Sequence, residues 1–73
     1  MEFLPHEQRV IDEAAQNKDR LDKLKAFLDK PFVQTLNPYE IADLQSQAEV
    51  MEKLQEILDR RIWRFTKAKT DNS

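Results

Sequence analysis

The chain contains no glycine and three prolines in 73 residues. Tight two-residue β-hairpins need backbone at positive φ, which glycine supplies at least cost, so they have no natural occupant here. Leu, Ala, Glu, Gln, Lys and Arg dominate the middle of the sequence and all favour helix. Helix is therefore expected almost throughout. The chain also lacks cysteine and has one histidine, so no disulfide or Cys/His zinc site can staple it, and no glycine-rich loop can cradle a phosphate. Chains this short rarely build a sufficient core alone. Oligomerisation is the remaining device.

Charged residues make up 36% of the chain and hydrophobic residues 40%. Because the apolar residues recur with a period, a folded chain is expected rather than a disordered one. No apolar run approaches the roughly 18–20 residues of a membrane span, and residues 1–8 lack the basic region and long apolar stretch of a signal peptide. These features predict a soluble, intracellular protein with no membrane partner.

Val10, Ala14, Asn17, Leu21, Leu24 and Leu28 alternate steps of four and three, the seam of a helix that packs on another, with Ile11 and Phe27 widening the stripe. A first helix is predicted from about Pro5, whose missing N–H is harmless in a first turn, to Asp29. Glu7 and Asp12 complement its dipole, and Lys30-Pro31 ends it. Asn37 then offers a cap, Pro38 a first helical position, Glu40 a reach-back carboxylate, and Leu36 with Ile41 a hydrophobic staple. The second seam reads Ile41, Leu44, Ala48, Met51, Gln55, Leu58, Ile62 and Phe65, with Val50, Leu54 and Ile57 on an adjoining stripe. This helix is expected to span about 38–67, before a flexible tail over 68–73.

Phe32, Val33 and Leu36 in the 30–37 connector should close the end of the hairpin, as a short 3₁₀ turn. The fold class is all-α: one domain, a two-helix antiparallel hairpin with a short apolar connecting segment. Each apolar stripe is wider than one partner helix can cover, so the hairpins should assemble into a homo-oligomeric helical bundle.

The net charge of −2 conceals an asymmetry. Residues 1–59 hold seven Lys or Arg against thirteen Asp or Glu, whereas Arg60, Arg61, Arg64, Lys67 and Lys69 form an uninterrupted basic block. In an antiparallel hairpin this block comes near His6, Arg9 and the free amides of the first turn, a combination suited to a compact ligand with two or three phosphates. The competing reading is a solvated helix end whose cations complement the dipole. Trp63 could stack on a base or anchor a subunit contact. Asn17 and Gln55, polar within the seams, could fix register or touch a ligand. Extended nucleic acid is disfavoured because it calls for many more cations. The lone His6 and surface pairs such as Asp12-Glu13 offer no acid–base dyad. No catalysis, metal or cofactor is expected.

Gln8 to Glu13, Leu21 to Leu28, Phe32, Leu36, Gln47, Met51, Leu58 and the Arg61-Ile62 pair together resemble a family of very small phage proteins. That family includes the anti-CBASS cyclic-nucleotide sponges, and the resemblance covers roughly residues 4–66. It implies a hexameric helical protein that acts in the host bacterial cytoplasm. There it would sequester cyclic di- and trinucleotide messengers without altering them, and so evade CBASS immunity. It implies a dinucleotide site between first helices of neighbouring subunits, to which Lys23 corresponds, and a symmetric trinucleotide site, to which Arg61 corresponds, with Arg20 and Arg64 as alternatives. His6 stands where the family commonly has an aromatic tyrosine. The alternative is a structural or adaptor hairpin that mediates protein–protein association through its apolar stripe, and a third reading is a nucleic-acid regulator using residues 60–69.

Overall fold

In the computed structural model, residues 2–71 are described, the last of them for its backbone alone. Helix α1 runs Pro5–Leu28, a 3₁₀ turn covers Pro31–Thr35, and helix α2 runs Pro38–Asp71. No strand occurs among the described residues. The two helices lie side by side in a rod of 55 × 17 × 15 Å. They run antiparallel, since Lys69 near the end of α2 reaches Glu7 at the start of α1, Asn17 meets Met51 and Gln55, and Lys25 meets Glu52.

Local chemistry sets most boundaries. At the start of α1, Leu4 has no side-chain acceptor, so the cap works in one direction: the Leu4 amide donates to Glu7 Oε1 at 2.8 Å. Helix α1 stops at Leu28, one residue short of the expected end, because Pro31 forces Lys30 into extended backbone at ψ 137° and leaves Asp29 as the C-cap. The Asn37 cap is present, with the Tyr39 amide donating to Asn37 Oδ1 at 2.8 Å. Glu40 is exposed and makes no reach-back bond, so that half of the expected capping box is absent.

The connector adopts the expected 3₁₀ geometry, closed by Val33 N–H to Lys30 C=O and Leu36 N–H to Val33 C=O. Val33 is 1% exposed and plugs the hairpin end. Phe32 is half exposed instead, packing edge-to-face on Phe27 with ring centroids 5.3 Å apart.

The 68–71 stretch departs from the expected flexible tail, because α2 continues four residues beyond Lys67 to Asp71. Lys69 is the cause: its ammonium pairs with buried Glu7 at 2.6 Å and lies 5.8 Å from the Phe3 ring, which packs edge-to-face on Phe65. These contacts supply the tertiary packing that an isolated helix end lacks. The tail expectation for Asn72 and Ser73 falls outside the described residues.

The core is thin. Val10, Ala14 and Leu58 are buried together, with Leu54, Ile62 and Phe65 packed against them, and Leu21, Val33 and Ala48 are buried further along. Buried Asn17 interrupts this seam. Its amide group donates to Met51 C=O and to Gln55 Oε1, each at 2.9 Å, and Gln55 Nε2 donates to Asp59 Oδ1 at 3.1 Å. Both Asn17 donor hydrogens are thus spent inside the hairpin, the register-fixing role of a polar seam residue. No helix is long and apolar enough to cross a membrane among the described residues.

Candidate anion-binding side of the hairpin

The six candidate ligand residues share one property of register. Arg9, Arg20 and Lys23 immediately precede the α1 seam positions Val10, Leu21 and Leu24, and His6 precedes Glu7, whose burial three residues before Val10 extends the seam by one position. Arg61 and Arg64 likewise precede Ile62 and Phe65 of α2. Lys25 and Glu52 each follow a seam position, and they form an ion pair across the helices. Residues that follow the seams therefore share one long side of the hairpin, and residues that precede them share the other. All six candidates lie on the same long side.

Along that side they fall at different heights. Taking Asn17 as level with the Met51–Gln55 turn that it bonds and a 1.5 Å rise per residue, Arg9 and Arg61 lie at about one level, with Arg64 about 5 Å from them along the axis. Arg20 lies about 16 Å and Lys23 about 21 Å from Arg9 toward the connector. His6, Arg9, Arg61 and Arg64 thus form a group at the terminal end, with Arg20 and Lys23 nearer the middle. Val50, Leu54 and Ile57 precede seam positions too and bring apolar surface between the two groups, with Val50 65% and Ile57 45% exposed.

Arg9, Arg20, Arg61 and Arg64 are exposed and make no ion pair or hydrogen bond among the described residues. Lys23 differs, being held by Asp19 one turn earlier at 2.9 Å. That exposed i,i+4 pair is worth a few tenths of a kcal/mol and yields readily to a stronger anion. Four unpaired guanidinium groups on one side form a surface able to take phosphate oxygens bidentately.

The basic block itself is divided by the helix. Lys69 is committed to Glu7 and Lys67 lies 4.9 Å from the Trp63 ring centroid. Trp63, 61% exposed, follows Ile62 and so faces the opposite side from Arg61 and Arg64. The single charged end expected from the sequence is thus divided, with Arg61 and Arg64 on one long side, Lys67 beside Trp63, Lys69 on Glu7 and Arg60 exposed.

Sequence reasoning missed Glu7, read there as a dipole partner. The Lys69 ammonium and the Leu4 amide hold its carboxyl below its ordinary value of 4.5, against the opposing effect of burial, with the charges of Lys69 and His6 acting in the same lowering sense. A carboxyl with a lowered folded-state value adds stability that is fully present above 4.5 and is lost as pH falls through the folded value. Acid titration followed by circular dichroism should show loss of helix on that acid limb. Glu7→Gln should lower stability near neutral pH and flatten the limb; an unchanged acid limb would contradict the assignment.

No cleft or cavity is formed among the described residues, and no group of His, Cys, Asp or Glu among them is arranged to hold a metal ion. Comparison with curated proteins and comparison with solved structures each return no match. The family model described as Sequestin matches residues 4–64, nearly the whole hairpin. Its name fits the phage anti-CBASS sponges that the sequence resembles, and the chain belongs to the Sequestin family.

Proposed function

We propose that this protein is a phage-encoded sponge that binds cyclic di- or trinucleotide messengers in the host bacterial cytoplasm, sequesters them intact, and so blocks CBASS immunity. The observation that carries this reading is the set of four arginines, without a partner among the described residues, on one side of a chain whose net charge is −2. Unpaired guanidinium groups gathered on one side of an acidic protein have no folding role there, and a compact oligophosphate supplies the anions they lack. Membership of a family named for sequestering supports the same reading.

The terminal group of Arg9, Arg61 and Arg64, with His6 beside it, serves as the phosphate-binding part of the trinucleotide site, and Lys23 serves the dinucleotide. A flat rod offers no enclosed pocket, so the ligand is enclosed between copies in a homo-oligomer, a hexamer on the family resemblance. The thin core favours the same assembly, since few apolar side chains are buried within one hairpin. No residue acts as acid, base or nucleophile, and no cofactor takes part.

The test loads purified protein with a cyclic nucleotide, removes free ligand, destroys the protein with protease, and identifies what is released by mass spectrometry. The expected product is the intact cyclic nucleotide. Release of a linear product would replace the sponge with a hydrolase. Failure to retain any cyclic nucleotide would favour the adaptor hairpin, for which exposed Val50 and Ile57 provide a docking strip.

A further inference from the structure

Three segments meet at the terminal end of the hairpin. Glu7 Oε1 takes both the Leu4 amide at 2.8 Å and the Lys69 ammonium at 2.6 Å. Phe3 packs edge-to-face on Phe65 with ring centroids 5.7 Å apart, and Lys69 Nζ lies 5.8 Å from the Phe3 ring. Glu7 is 6% exposed, so its charge is shielded from water and depends on these partners. With Asn17 level with the Met51–Gln55 turn, Glu7 is level with Trp63, and Lys69 lies about 9 Å further along the axis. Helical side chains lean toward their own N-terminus, so in antiparallel helices Lys69 leans back and Glu7 leans outward until they meet.

We propose that Glu7, Lys69 and Phe3 form a clasp that positions Arg64 for an anion by folding the last turns of α2 onto the start of α1. The inference rests on reading the terminal group of cations as part of the ligand site. Arg64 is exposed and makes no ion pair among the described residues, so its order comes from the backbone that carries it. A helix end frays over about its last turn unless something holds it. Without the clasp α2 would end near Lys67, as its seam pattern predicts, and Arg64 would lie in that fraying turn. With the clasp α2 runs to Asp71, which puts Arg64 about two turns inside the helix. A guanidinium on ordered backbone loses less conformational freedom on meeting a phosphate than one on a fraying turn.

Positioning and direct electrostatics make opposite predictions at this clasp. Lys69→Met removes a cation near the site, Glu7→Gln removes an anion, and Phe3→Ala changes no charge. If Lys69 served the ligand through its charge, the first substitution would weaken binding, the second would strengthen it and the third would do nothing. If the three residues act by holding the end of α2, all three substitutions weaken binding. Lys23 belongs to the other cationic group, about 21 Å from Arg9 toward the connector, and should be indifferent to the clasp.

The experiment compares the parent, these three variants and Lys69→Arg, which keeps the cation, by residue-resolved hydrogen exchange without ligand and by calorimetric titration with a cyclic trinucleotide and a cyclic dinucleotide. Amides of residues 66–70 should exchange about tenfold or more faster in the three variants, a larger factor than for amides around Leu58, while Lys69→Arg stays near the parent. Trinucleotide affinity should fall about threefold or more in all three, dinucleotide affinity should hold, and Arg64→Ala should cost less in the Lys69→Met background than in the parent. Exchange at 66–70 that is unchanged, or accelerated only as much as around Leu58, would overturn the proposal. So would affinities that follow the sign of the charge removed, or full additivity with Arg64→Ala. A parent that binds neither nucleotide overturns the sponge reading and the positioning role with it, whereas exchange in the ligand-free protein still decides whether the clasp holds the helix end.

Discussion

Leu58→Ala is expected to be the most destabilising single truncation in the hairpin, lowering stability by about 2–5 kcal/mol. Leu58 is 1% exposed and sits against Val10 and Ala14 in the cluster flanked by Leu54, Ile62 and Phe65. The neighbours are two rigid helices with small residues at the contact, so the space left by the lost isobutyl group collapses poorly and the cavity adds to the lost transfer energy. A domain of this size has only about 4–11 kcal/mol of total stability, so the variant should be largely unfolded at dilute concentration. Chemical denaturation followed by circular dichroism measures it. Val50→Ala provides the contrast, because Val50 is 65% exposed and its loss should scarcely change the stability of a single hairpin. A small effect at Leu58 would mean that the three-residue cluster is not the centre of the fold.

The second large effect concerns the ligand. Arg61→Ala should weaken binding of a cyclic trinucleotide by about 1.5–3 kcal/mol, the worth of a charge-assisted hydrogen bond, which is roughly ten- to more than a hundredfold in affinity. Arg64→Ala should behave in the same way, since the two residues precede adjacent seam positions on one side of α2. Lys23→Ala should weaken a dinucleotide preferentially, with a smaller net effect because Lys23 must first leave Asp19. Calorimetric titration of the three variants separates these cases. Equal binding by parent and Arg61→Ala would remove Arg61 from the site, because an arginine that merely complements the helix dipole contributes a few tenths of a kcal/mol. Dissociation of the oligomer by Arg61→Ala would place it in a subunit contact and favour the adaptor reading.

Where local chemistry determines the chain's path, sequence and structure agree. Asn37-Pro38 marks the start of α2 because the cap acceptor and the proline act within one turn, and Lys30-Pro31 ends α1 for the same reason. The end of α2 was not legible, since it depends on Lys69 meeting Glu7 at the far end of the chain. Nothing in the sequence around residue 69 announces that partner. Glu40 shows the limit in the other direction: the spacing of a capping box is present, yet only its Asn37 half forms, on the Tyr39 amide.

The site followed a similar division. The arginines were visible as charges, but their common side emerged only from the Lys25–Glu52 pair, which fixes how the two helices face each other. Once that pair is known, the register of each arginine relative to its seam becomes informative. Trp63 lies between Arg61 and Arg64 in sequence, yet helical rotation carries it to the side that follows the seams, away from both.

The central claim is most directly tested by isothermal titration of the purified parent protein with a panel of cyclic di- and trinucleotides and their linear counterparts at fixed salt. The account predicts saturable binding of at least one cyclic species at a fixed ratio to subunits, with the linear counterpart bound far more weakly. Absence of heat or saturation with every cyclic member, at protein concentrations where the oligomer is formed, would contradict it.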